Sequence, residues 1–148
     1  MCDYSLHLSL SRDAELGEEL VVSRFLGTYT KGFASPLPKG EYPDCAVCLK
    51  PGTEIVFSEN VYEEKFILFT GFIRKKKVGS CFATFRQIDL NNPCTHHDAL
   101  EFDNGRVIKI SNLVAGQKAF VIQLPASKSL SDKSSKVTVT TIELENVQ

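Results

Sequence analysis

A chain of 148 residues that is 43% hydrophobic, with ten Phe and four Tyr, has ample material for one core and too little net charge for a disordered segment. Its 17 Lys and Arg nearly balance 18 Asp and Glu. The total therefore lacks the basic surplus usual in domains that grip a nucleic-acid backbone, and nucleic-acid binding is not the expectation. No run approaches the roughly 18 consecutive apolar residues of a membrane span.

The opening Met1-Cys2-Asp3-Tyr4-Ser5-Leu6-His7 has no basic start, and polar residues interrupt its apolar ones, unlike a signal peptide. A cytoplasmic protein with its five cysteines as reduced thiols is expected on that ground. An odd count also forbids complete pairing within one chain, so no disulfide framework is expected.

Apolar residues recur with period two rather than 3.6. In residues 2–10, Cys2, Tyr4, Leu6, Leu8 and Leu10 alternate with Asp3, Ser5, His7 and Ser9, the pattern of a half-buried strand. A second strand is predicted at residues 19–25. Residues 30–42, punctuated by Gly32, Pro36, Pro38 and Gly40, read as a long loop. Residues 45–49 and 54–57 form a hairpin across Lys50-Pro51-Gly52-Thr53. Residues 66–73 are apolar at nearly every place and are expected to be buried on both faces. Arg74-Lys75-Lys76-Lys77 then turns the chain into a strand at 81–88.

The hairpin around Asp103-Asn104-Gly105 has an arguable register. A two-residue loop would pair Leu100 with Lys109 and mix the faces. A three-residue loop, with Gly105 at positive φ, pairs Leu100 with Ile108 and Phe102 with Arg106. Leu100, Phe102, Ile108 and Ile110 then share one face, and this register is preferred. A strand at 118–124 follows the turn Val114-Ala115-Gly116. The last strand, 136–145, changes apolar phase across Thr140-Thr141, which suggests a β-bulge. Between them, residues 127–135 hold five Ser and two Lys and read as a flexible loop. Helical signal is confined to turns near 11–17 and 60–64. Eight or nine short strands in one domain spanning 1–148 predict an all-β barrel or sandwich.

Cys45-Ala46-Val47-Cys48 has the two-residue gap of zinc and thiol-redox motifs. Residues three apart on an extended strand face opposite ways, so ordinary strand cysteines are the stronger reading. Cys94-Thr95-His96-His97-Asp98, after the turn signal Asn91-Asn92-Pro93, is the densest set of donors in the chain. Thiolate and imidazole suit zinc or another transition metal, against the plainer reading of a solvated polar loop. A centre built on Cys94, His96 and His97 needs a further ligand. Cys48 is the first choice, with Cys2 or His7 as alternatives.

Removal of Met1 would leave Cys2 at the N-terminus, where its own amine can serve as base for the thiol. Glutamine amidotransferases of the N-terminal-nucleophile class also begin Met-Cys, but they continue with Gly where this chain has Asp3. Their αββα layers need helices that this sequence does not predict, and the alternation places Cys2 on the apolar face. Asp3 and His7 lie roughly 13 Å apart along a strand, too far for contact. Arg74-Lys75-Lys76-Lys77 is the one charge run. It is either a solvated turn or a contact for phosphates of nucleic acid or lipid, and it also discourages edge-to-edge sheet pairing. No Gly-rich phosphate loop, Gly-x-Ser-x-Gly or His-Glu-x-x-His occurs.

The opening Met1-Cys2-Asp3-Tyr4-Ser5-Leu6-His7, the block His96-His97-Asp98-Ala99-Leu100-Glu101-Phe102 and the later Gln123-Leu124-Pro125 resemble a group of short bacterial proteins. The resemblance covers most of the chain. It implies a bacterial cytoplasmic protein and transfers no activity. Three readings of function stand in order. A small β-barrel binding module without catalysis comes first, a zinc-like transition-metal site second, and an N-terminal cysteine hydrolase third.

Overall fold

In the computed structural model, residues 10–26 and 30–126 are described. The expected strand at 136–145, the loop at 127–135 and all but the end of the strand at 2–10 lie outside the described residues. Among the described residues the period-two patterning becomes eleven strands: β1 (Leu10–Asp13), β2 (Glu19–Arg24), β3 (Lys31–Ala34), β4 (Cys45–Cys48), β5 (Glu54–Phe57), β6 (Tyr62–Ile67), β7 (Phe72–Lys77), β8 (Phe82–Gln87), β9 (Asp98–Phe102), β10 (Val107–Lys109) and β11 (Lys118–Gln123). A 3-10 turn at Ile110–Asn112 follows β10. Both helical expectations are overturned, since Leu10–Asp13 and Tyr62–Ile67 are extended. No helix among the described residues is long and apolar enough to cross a membrane.

Seven strands form one antiparallel sheet in the order β10-β9-β8-β5-β11-β2-β3, β1 pairs with β4 in parallel, and β6 pairs with β7. The architecture is all-β and sandwich-like rather than a closed barrel. The barrel alternative falls because the end strands β10 and β3 are not paired with each other. Instead the 3-10 turn packs on both β3 and β9, and β4 packs on β3. The sheet curls over its core without closing.

That core follows from alternation. Leu20 and Val22 of β2, Ile55 and Phe57 of β5, Ala83 and Phe85 of β8, Leu100 and Phe102 of β9, and Ala119 and Val121 of β11 are buried together. Phe57 and Phe102 stack with centroids 6.1 Å apart, although β8 runs between their strands. The intervening strand offers Ala83, which pairs with both Ile55 and Phe102. A small residue there leaves room for two rings to meet.

The preferred β9–β10 register holds. Leu100 opposes Ile108, the Phe102 N–H donates to the Arg106 carbonyl over 2.8 Å, and Gly105 has φ +88°. Two other expectations fail. The loop expected at 30–42 opens with β3, whose four residues are all buried. Residues 66–73, expected inside, form the exposed end of the β6–β7 hairpin. Arg74–Lys77 is therefore strand rather than turn, and the turn lies at 68–71.

Candidate functional site

The loop between β8 and β9 brings Cys94, His96 and His97 close in sequence, and hydrogen bonds hold the loop while the Cys94 thiol is free. The Cys94 N–H donates to Asn92 Oδ1 (3.0 Å), and His97 Nε2 lies 2.9 Å from the Asn92 carbonyl. A carbonyl only accepts, so that nitrogen carries the proton and offers no lone pair. Lys109 Nζ donates to Thr95 Oγ1 (2.5 Å) and lies 3.2 Å from Asp89 Oδ2. Asp98 is buried and accepts from Gln87 Nε2 (3.2 Å). His96 is exposed. Among the described residues, no group of three or more His, Cys, Asp or Glu side chains is placed to hold a metal ion.

Cys48, the proposed remote ligand, is buried at the end of β4 opposite Asp13. It is disulfide-bonded, which removes its thiolate from metal chemistry in this state. The expectation of reduced thiols is corrected at this position. Cys45, Cys81 and Cys94 are free. Cys45 and Cys48 do not bond to each other, as their three-residue offset on a strand requires. Cys2 and His7 lie outside the described residues.

The feature that stands apart from the sandwich is the β6–β7 hairpin, a projecting arm. Its register pairs Tyr62 with Lys77, Glu63 with Lys76, Glu64 with Lys75, Lys65 with Arg74, Phe66 with Ile73 and Ile67 with Phe72. The end turn is closed by the Gly71 N–H on the Ile67 carbonyl (2.9 Å), with Gly71 at φ +69°. A side chain at that φ would be strained, which explains the glycine. Phe66, Leu68, Phe69, Phe72 and Ile73 at this end are all exposed, Phe69 to 98%.

The foot of the arm is held from several sides. Buried Glu63 pairs with Arg106, whose Nη1 also donates to the Lys77 and Val78 carbonyls (3.4 Å each). Glu64 Oε2 accepts from Lys31 Nζ (2.6 Å) and lies 3.7 Å from Arg24 Nη2. The Tyr62 N–H donates to Gln117 Oε1 (2.7 Å), and Gln117 Nε2 donates back to the Tyr62 carbonyl (3.0 Å). These ties fix the direction in which the arm projects.

Beside the foot lies a cleft of about 500 Å³, lined among others by Phe57, Asn60, Tyr62, Lys75 and Gln117. Its volume falls in the range of small-molecule sites. Gln117, its central polar side chain, is engaged by the Tyr62 and Val114 backbone. No protein-family model matches the chain, and no curated protein or solved structure matches it.

The arm was legible in part. Lys65 and Arg74–Lys77 bracket an apolar run that contains Thr70-Gly71, a turn signal. Glu63-Glu64 and Lys75-Lys76 have opposite charges at positions that a hairpin centred there would pair.

Proposed function

We propose that this protein is a non-catalytic binding module whose recognition element is the β6–β7 arm. The observation that carries the reading is the cluster of Phe66, Leu68, Phe69, Phe72 and Ile73, exposed on an arm whose foot is pinned by Glu63, Glu64 and Tyr62. Scattered surface apolar residues need no explanation, but a contiguous cluster on a projecting element marks an interaction surface. Burying five such side chains would release roughly 7–15 kcal/mol before the costs of association. A pre-positioned element also loses less freedom on binding than a loose loop.

The test is a photo-crosslinking residue at position 69 in the full chain, produced in cells. A discrete adduct, protein or lipid, is expected from position 69. None is expected from position 90, where Leu90, also exposed, sits on the β8–β9 loop. Identical background labelling from both positions would refute the arm as the recognition element.

A further inference from the structure

Resting on the arm as recognition element, we infer that its partner is an anionic lipid bilayer, which it enters to the depth of the headgroups. The inference comes from how charge and apolarity are layered along the arm. The outermost rungs, Phe66 with Ile73 and Ile67 with Phe72, and the turn at 68–71 carry no charged side chain. The next rung inward pairs Lys65 with Arg74, and Lys75, Lys76 and Lys77 follow on β7, all exposed.

The acids of the same rungs do not neutralise these cations. Glu63 is engaged by Arg106, and Glu64 by Lys31 and Arg24. Lys65, Arg74, Lys75, Lys76 and Lys77 form no ion pair among the described residues. A chain of net charge −1 thus presents a collar of five cations on the four rungs that run from the apolar end to the foot of the arm.

At about 3.3 Å per strand residue, the Lys65–Arg74 rung lies roughly 10 Å from the end of the arm. Interfacial elements bury apolar groups about 5–10 Å into the boundary between headgroups and acyl chains. With the end at that depth, the Lys65–Arg74 rung meets the phosphates, and Lys75, Lys76 and Lys77 follow at successive steps of about 3.3 Å behind it, where long basic side chains reach toward the anionic surface. Apolar residues face both sides of the outer rungs, as immersion requires. Depth is limited by the backbone: among the described residues no third strand pairs with the arm, and hydrocarbon does not tolerate the unpaired N–H and C=O groups of such edges.

Other occupants fit less well. Single-stranded nucleic acid is bound by aromatics interleaved with cations over the same length, whereas here the two are segregated along the axis. A second copy docking end to end would bring two cationic collars together. An apolar groove on a protein would need the end but not the collar.

The sequence contains no Trp, so Phe69→Trp supplies a single fluorescent reporter at the end of the arm. Full-length F69W protein is mixed with vesicles of phosphatidylcholine alone or with about 30 mol% phosphatidylglycerol, at low and at roughly physiological salt, and floated. Blue-shifted emission and about tenfold more flotation with the anionic vesicles are expected, both weakening with salt. On the F69W background, Lys75→Glu with Lys76→Glu should abolish the preference for anionic lipid. In the otherwise native chain, Leu68→Ser with Phe69→Ser should abolish flotation. These side chains are exposed, so an unchanged unfolding midpoint verifies each fold. Equal flotation of wild type and the charge-reversed variant, or no flotation of either, overturns the inference. If flotation fails while position 69 still captures a discrete protein in cells, the lipid assignment falls and the binding-module reading stands. If both fail, both readings fall.

Discussion

Lys31 Nζ, 4% exposed on the edge strand β3, lies 2.6 Å from Glu64 Oε2 on the arm and donates to the Leu113 carbonyl over another 2.6 Å. A buried ammonium is retained only when its desolvation is offset by partners of this kind. The contact also joins the sheet to the element proposed to bind. Removing one partner leaves a buried charge, so Glu64→Leu should cost about 3–5 kcal/mol. Lys31→Met should cost about 2–4 kcal/mol, because Arg24 still neighbours Glu64 while the Leu113 carbonyl loses its donor. The double variant should be less destabilised than the sum. Urea unfolding of the four proteins measures the coupling, and strict additivity would show that the pair does not act as one.

A second ionic contact makes stability depend on pH. Arg12 of β1 pairs with Glu18, and its Nη2 also donates to Ser35 Oγ (2.8 Å). Burial alone would raise the Glu18 pKa. The hydrogen bond from Arg12, the Glu15 N–H and the Arg12 charge outweigh burial and hold it below the ordinary 4.5. The unfolded chain then binds a proton more readily than the folded one, so stability rises with pH in this window. The contribution is complete above the ordinary value and is lost as pH falls through the depressed one. Arg12 is partly exposed, so screening holds it below about 1 kcal/mol. Glu18→Gln should therefore narrow the gap between unfolding free energies at about pH 7 and about pH 3. An unchanged gap would place the acid sensitivity elsewhere.

Thiol chemistry gives a third expectation. Cys48 is bonded while Cys45, Cys81 and Cys94 are free. Alkylation of denatured, unreduced protein should therefore label those three and spare Cys48, which labels only after reduction. Peptide mapping reads this directly. Full labelling of Cys48 without reductant would return it to the pool of thiols available to a metal.

How much of this was readable depended on whether the deciding interactions were local. The β9–β10 register was legible because Gly105 and the apolar set Leu100, Phe102 and Ile108 admit one pairing that keeps the set together. β3 was not, because Gly32 and the nearby prolines signal a loop, and the strand exists through its pairing with β2. Hydrophobicity stood for burial at Phe66–Ile73, yet no element of the described chain covers that end of the arm. At the proposed metal site the donor types were visible, but not the partner already held by Cys48 or the carbonyl that engages His97.

The exposure of Phe69 can be read from stability. If residues 66–73 were a core strand, trimming Phe69 would cost about 3–5 kcal/mol through lost burial and a cavity. With Phe69 almost wholly exposed, Phe69→Ser removes no packing. Its effect should stay within about 0.5 kcal/mol, as for other surface substitutions. Phe33→Ala, at a fully buried position of β3, supplies the internal standard and should show the full core penalty. Paired unfolding curves decide the matter. Comparable losses in the two variants would mean that the outer arm is packed against protein, leaving no free apolar end to meet a partner.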